Sequence, residues 1–600
     1  MSDPTPVLLT RRTVLGLLGA GAAAAALGAC SAAGSDGSQS PGGTPGRRIF
    51  RAAYPYEAPP KGHFNLLTGV AEGIRLGYLI DLVQLPGAMY NWQDQTYYHL
   101  LADPSSGFAA DRTTFSYVVR DGLSWSDGTP VTAKDVYSTW LLQAALGHSA
   151  HQYVTSFEQT DERTVTFQLS KPAPVVEYYL LRLQIVPDIQ YGPLAAEVEP
   201  LYAGRTLKES PDLAALTKKI GEFRPDAPLA NGPFAFDPAT VTDAQLELVK
   251  NPTGYLADTV AWDGILVHNG QTEAVTPLVL AEKIDYATHA FPVATTKQLE
   301  QQGFRILRPP VHSGLALYFS FGRRPEFADK RVRQALAHAI DRSQQAEVTF
   351  GDSGRPGQYM SGMSDVQVEQ WLGESDRGKL AGYEFDRDKA EQLLLAAGWR
   401  RDGATWITSA GTPATYDISY PTQLIDYAAA AQNVAGQLNE WGFEIVQRGG
   451  DNTQVRLDIG KGEFDLAILT WGMTGNPFPS EAYIADFLTF NYAMLAPDRG
   501  IDFPLTQQTD AVGEIDLEQA VIDSAVGASP EELKGKATTL ALAFNELLPI
   551  VPLVERYANN PVLTSAVTGY PDDDASVMQN SIYADNPTAI LMFDGTLEPA

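Results

Sequence analysis

Trp471, Phe478 and Tyr483 are the residues of this sequence best suited to hold a solute, because flat aromatic faces stack on sugar rings or apolar side chains. Asn476 lies among them in Trp471-Gly-Met-Thr-Gly-Asn-Pro-Phe-Pro-Ser480, and its amide, like that of Asn65, offers a donor and an acceptor. Tyr90, Trp92, Tyr97 and Tyr98 form a second aromatic group. Packing under loops competes with stacking for both groups, and Asn beside turns equally serves the backbone. Covalent chemistry has weaker candidates. His148-Ser-Ala-His151 brings two imidazoles together without an adjacent carboxylate or thiolate, so no metal site is assigned. Gly351-Asp-Ser-Gly354 mimics a serine-nucleophile motif but follows an amphipathic helix, a context that favours a plain loop. Carboxylates are abundant, yet none is positioned by spacing as an acid/base pair. No catalytic residue and no cofactor are expected.

Elements must position these residues. Phe464-Asp-Leu-Ala-Ile-Leu-Thr470 is a near-continuous apolar run, the pattern of a strand covered on both faces. Ligands sit beyond the carboxyl ends of strands in open α/β sheets, which places Trp471 and the turn after it at a cleft. A strand near Tyr416–Tyr420, a helix from about Asp426 to Trp441 stopped by Gly442, and a strand at Phe443–Val446 make a β-α-β unit. Phe115, Tyr117 and Val119 alternate as one face of a strand, which passes through Ser126-Asp-Gly-Thr-Pro130 into a helix capped by Thr132 and Asp135. A further helix has Val332, Leu336, Ala339 and Ile340 as its buried face, leaving Lys330, Arg331 and Arg333 as a solvated one. Asp386 caps another helix, which Gly398 ends. No fixed-period repeat is present, so the expected class is α/β with at least two lobes.

The 600 residues, 44% of them hydrophobic, exceed one core and predict several lobes. A formal charge of −29 disfavours nucleic acid as a partner. Thr10-Arg-Arg-Thr-Val-Leu15, leading through small apolar residues to Leu27-Gly-Ala-Cys30, resembles a bacterial twin-arginine export signal ending in a lipoprotein processing box. Val14–Leu27 falls short of the roughly 20 apolar residues that span a bilayer. Cys30 is the single cysteine, so it pairs with no other in the chain and is the expected acylation site. Residues 1–29 are therefore read as a signal peptide, and the Ser/Gly/Pro-rich residues 30–48 as a flexible tether. The protein is expected outside the cytoplasm, held to the membrane by lipid.

Ordered motifs across the body resemble the extracytoplasmic solute-binding proteins of family 5, the peptide-type receptors of ABC importers. The resemblance rests on Phe115–Val136, Ala230-Asn-Gly-Pro-Phe-Ala-Phe236, Asn251-Pro-Thr-Gly-Tyr255, Asp329–Arg342, Phe385–Trp399, Gly462–Trp471 and Leu548-Pro-Ile-Val-Pro552. It implies a two-lobed periplasmic-binding-protein-like fold with an extra domain inserted in lobe I. Lobe I is placed at 49–90, 228–311 and 556–600, the inserted domain at 91–227 and lobe II at 312–555. The implied protein is a monomer that binds a peptide or similar small polar solute and delivers it to permease subunits. Where the family's peptide readers carry an acidic residue just after the Trp, this chain has no carboxylate until Glu481. An oligosaccharide cargo is the alternative within the fold, supported weakly by Pro59-Pro-Lys-Gly-His-Phe-Asn65, and a secreted hydrolase is the alternative outside it.

Overall fold

Three sheets organise the chain in the computed structural model, which describes residues 46–68, 73–489, 491 and 500–600. The export segment and Cys30 lie outside the described residues, as does the tether up to residue 45. Arg47–Ala600 form one unit. Its first sheet has seven strands in the order Phe304–Leu307, Asn560–Leu563, Tyr286–Ala287, Ile49–Ala53, Gly264–His268, Gln245–Lys250 and Phe234–Phe236. The second has six: Gly354–Arg355, Val551–Tyr557, Pro310–Phe319, Leu466–Gly472, Thr415–Pro421 and Glu444–Gly450. A four-stranded sheet, Gly107–Phe108, Thr114–Val118, Thr164–Leu169 and Val154–Gln159, belongs to the segment between Ile49–Ala53 and Phe234–Phe236.

The chain passes between the large sheets at two short links. One joins Phe304–Leu307 to Pro310–Phe319, and the other joins Val551–Tyr557 to Asn560–Leu563. Two neighbouring links of two residues each are the geometry of a hinge, because few dihedrals need change for the lobes to rotate. The links lie at residues 308–309 and 558–559. The strand Ala88–Asn91 pairs with Thr96–His99.

Local sequence chemistry explains the elements that carry the cleft. The helix Ala133–Ala145 starts in a full capping box, with Thr132 accepting from a helix amide and Asp135 accepting from the Thr132 amide at 2.7 Å. Thr415–Pro421 and Glu444–Gly450 pair in parallel across the helix Ile425–Glu440, a β-α-β unit. Leu466–Gly472 lies inside the second sheet, with Leu466–Leu469 fully buried.

One expectation is corrected here. Arg333 does not share the solvated face of Lys330 and Arg331; it is 1% exposed. Its guanidinium donates to the carbonyls of Leu547, Leu548, Phe327 and Ala328 and lies over the rings of Phe321 and Phe503. It closes the C-terminal end of Pro530–Leu547, where free carbonyls need donors. Burial pulls its pKa down to about 9.

Candidate functional site

Three cavities run in series through the cleft. The first, about 360 Å³, lies between the helix Val175–Arg182 of the inserted domain and the 473–481 segment of lobe II, with Tyr583 and Ala584 between them. The second, about 210 Å³, is floored by Val311, Ser313, Gly314 and Leu315 and shares Tyr583 with the first. The third, about 590 Å³, opens between residues 271–273 and 290–292 of lobe I and 423–426 of lobe II. It shares Phe350, Asp426 and Arg556 with the second. The first cavity is near and the second below the lower end of ligand-site volumes while the third is within the range, and the shared residues join them into a series with room for an elongated solute.

The first cavity is walled by tyrosines and bordered by several polar groups. Tyr179 donates to Glu481 Oε1 at 2.6 Å and Tyr178 donates to the Gly475 carbonyl at 3.1 Å, so the inserted domain holds lobe II at two points. Burial raises the Glu481 pKa, and the Tyr179 hydrogen bond only partly opposes it. His148 accepts from the Ala150 amide through Nδ1, and burial lowers its pKa to about 4, which leaves the ring neutral near pH 7. Arg182 pairs with both oxygens of Asp81, at 3.0 and 2.7 Å, and with Asp585 at 3.1 Å, and donates to the Ala584 carbonyl. Asp585 also accepts from the Tyr90 amide, Trp92 Nε1 and the Tyr178 hydroxyl, at 2.9, 2.8 and 3.0 Å. This hub ties the inserted domain to the C-terminal segment and holds Tyr178 in the cavity wall.

Arg556 stands at the hinge end of Val551–Tyr557, its guanidinium 5.5 Å from the Phe350 ring centroid. Burial works against its charge, but the Tyr583 hydroxyl and Asp426 more than offset that and its pKa is raised. It is the cation shared by the second and third cavities.

The expected site residues are dispersed. Asn476 lines the first cavity, with its Oδ1 accepting from the Phe478 amide at 2.9 Å. Phe478 is half-buried against Tyr178 and Trp371, at centroid distances of 6.5 and 6.0 Å. Trp471 lies inside lobe II, 2% exposed, and its indole donates to the Val554 carbonyl at 3.0 Å. Tyr483 is fully buried beside Phe487. Asn65 is fully buried too and donates to the Ile220 carbonyl, while accepting from the Leu67 amide and the Tyr191 hydroxyl. Tyr90 packs on Tyr97 and Tyr178; Trp92 stacks on His312 at 4.3 Å, between the inserted domain and the first residues of Pro310–Phe319. Ser353 of the nucleophile-like motif is buried and donates to the Ala558 carbonyl, the bond of a loop residue. His151 packs against Trp140, Phe157 and Tyr202.

Tyr178, Tyr179, Arg182, Arg556 and Tyr583 escaped the sequence reading. Tyr178-Tyr179 was the one available signal, since adjacent tyrosines on a helix cannot both face the same core. Glu177, next to them, is held among Tyr90, Tyr97 and Arg112, where burial raises its pKa to about 7 and Arg112 acts in the opposite sense. A carboxyl with a raised folded pKa favours the folded state fully below its unfolded value near 4.5 and loses that contribution as pH rises toward 7. Glu177→Gln is therefore expected to stabilise the protein at pH 8 relative to wild type, by up to about 3 kcal/mol, and to be near neutral at pH 4. Urea midpoints at the two pH values measure it, and a gain at pH 4 that equals the gain at pH 8 refutes it.

The family profile of the bacterial extracellular solute-binding proteins, family 5, matches residues 96–493. A protein of Brucella ovis named for ABC-transporter peptide binding is 24% identical over 399 residues, covering 64% of this chain and 68% of that protein. The periplasmic oligopeptide-binding protein of Thermotoga maritima superposes with a TM-score of 0.75 at 15% identity, over 93% of this chain and 100% of that one. Its mannohexaose-bound form gives a TM-score of 0.68 at 16% identity, over 93% and 99%. With a profile match across well over half its length, this chain belongs to family 5 of the bacterial extracellular solute-binding proteins.

Proposed function

We propose that the chain captures a small polar solute, a short peptide or a molecule of similar shape, and hands it to the permease of an ABC importer driven by a separate ATPase. The observation that carries this reading is the series of three cavities between two lobes joined by two short links. Rotation about the links opens and closes the cleft, and closure dries the hydrogen bonds made to the solute. No covalent step belongs to this role. Acylation of Cys30 after signal cleavage, with residues 30–48 as tether, keeps the receptor near its permease, where modest affinity suffices. The receptor acts as a monomer, with lobe I, the inserted domain and lobe II meeting at the links and at the Asp585 hub.

An oligosaccharide cargo is the second reading. It is favoured by the stretch from Gly472 to Ser480, which holds no carboxylate, and by the mannohexaose carried by the Thermotoga protein. Thermal unfolding with a panel of short peptides and a panel of oligosaccharides separates the two. At a hundredfold excess over its dissociation constant, a true cargo adds about 2.7 kcal/mol of stability and raises the melting temperature by several degrees. A flat response to both panels defeats the importer reading.

A further inference from the structure

Asp486 is 2% exposed inside lobe II, on the π-helical turn Ile484–Leu488, a geometry frequent at functional sites. Its Oδ1 accepts from the Gly472 amide at 2.8 Å, and among the described residues its Oδ2 has no hydrogen-bond partner. A Cβ on Gly362 would come within 3.1 Å of that oxygen and 2.8 Å of the Phe544 ring, so Oδ2 lies in an apolar part of the core. Burial pushes the carboxyl well above the ordinary carboxylate range, and the Gly472 amide acts the other way. A carboxyl buried with one bond is costly, and an apolar side chain in its place avoids that cost. What the carboxyl does in return is to hold Gly472.

Gly472 forms the last rung of its strand with Ser313, and there the chain turns out of the sheet into the cleft. Its φ is +73°, and a Cβ on it would lie 2.8 Å from the His312 carbonyl oxygen, so no other residue makes this turn without strain. Beyond it Met473, Gly475 and Asn476 line the first cavity while Thr474 lines the second. The direction the chain takes at Gly472 therefore sets the wall between the two cavities. Three further bonds hold this segment. Ser313 Oγ donates to the Trp471 carbonyl at 2.5 Å, Ser581 Oγ to the Thr474 carbonyl at 2.5 Å, and the Tyr178 hydroxyl to the Gly475 carbonyl at 3.1 Å. Ser581 and Tyr178 belong to the C-terminal segment and the inserted domain, across the cleft, so their bonds part when the lobes open. The bonds from Ser313 and to Asp486 lie within lobe II and persist.

We propose that Asp486 is a positioning residue for cargo binding: through the Gly472 amide it keeps the 473–476 wall in its binding geometry while the cleft is open. The inference rests on the importer reading. A wall ordered beforehand spares the ordering entropy that cargo would otherwise lose on binding.

Calorimetric titration with hexaalanine and with mannohexaose, together with amide hydrogen exchange of the cargo-free protein, tests the role. Asp486→Ala removes the acceptor and is expected to weaken the probe that the wild type binds by about tenfold, the scale of one lost hydrogen bond. It is also expected to speed exchange at residues 472–476 while leaving that of Leu466–Leu469 unchanged. Asp486→Val fills more of the vacated space without restoring an acceptor, serves where alanine does not fold, and is expected to show the same losses. Asp486→Asn keeps the acceptor and is expected to restore affinity and exchange, with a urea midpoint at or above that of wild type, because an amide costs less to bury than a carboxyl. A carboxyl with a structural role alone would lower the midpoint on truncation and leave cargo affinity in place. Wild-type affinity or wild-type exchange in the variants lacking an acceptor, or losses in Asp486→Asn equal to theirs, overturns the positioning role and leaves the importer reading standing. Binding of neither probe by the wild type overturns both.

Discussion

Asp585→Ala is expected to lower the stability of the folded protein by about 3–5 kcal/mol, the usual consequence of removing one member of a buried, hydrogen-bonded ion pair. The carboxylate is fully buried, accepts from three donors, the Tyr90 amide, Trp92 Nε1 and the Tyr178 hydroxyl, and forms an ion pair with Arg182 at 3.1 Å. Truncation leaves the Tyr90 amide and the Trp92 indole without an acceptor, the Tyr178 hydroxyl with the Gly475 carbonyl alone and Arg182 with Asp81 and the Ala584 carbonyl, and each buried unmet donor costs about 1–3 kcal/mol. Burial raises the Asp585 pKa, and Arg182 opposes that rise. Asp585→Asn keeps acceptor capacity and is expected to lose less than alanine does. Urea denaturation of both variants is the measurement; a loss below about 1 kcal/mol for alanine refutes the hub. The same variant is expected to weaken cargo binding, because Tyr178 and Arg182 line the first cavity.

Gly314→Ala is expected to cost about 3 kcal/mol and to disturb the second cavity directly. Gly314 sits in Pro310–Phe319 between two partners, opposite Trp471 on one side and Glu555 on the other. A Cβ at this position would lie 1.7 Å from the Val554 carbonyl oxygen, 2.8 Å from its carbon and 3.0 Å from the Glu555 Cα. These are backbone atoms of a paired strand, so no side-chain rotation relieves the overlap and Val551–Tyr557 must move. That strand carries Arg556 into the cleft, and Gly314 itself floors the second cavity. Loss of stability and of cargo affinity together is the expected result. An alanine variant with wild-type urea midpoint and unchanged binding refutes the argument.

Local patterning made much of the scaffold readable. The Thr132–Asp135 capping box, the parallel pair around Ile425–Glu440 and the apolar run ending at Trp471 depend on neighbours a few residues apart, and each forms as its spacing implies. Arg333 was misread for the complementary reason. Its charged neighbours in sequence are exposed, but two of its four carbonyl partners, Leu547 and Leu548, lie more than 200 positions later, which no periodicity reveals. The candidate site shows the same division. Glu481 was visible as the first carboxylate after Trp471, yet its hydrogen bond from Tyr179 depends on where the helix Val175–Arg182 lies in space.

The sequence by itself determined the family, the α/β class and the strand that ends at the cleft, since these follow from hydrophobic period, caps and ordered motifs along the chain. The tertiary structure alone decided which polar groups line the cavities. Trp471, singled out by its position, turns its indole to the Val554 carbonyl inside lobe II. Asp585 meets Trp92 across 493 residues of chain. Charge compensation is a property of distances through space, so the pairing of Arg182 with Asp81 and Asp585 emerged only in the fold.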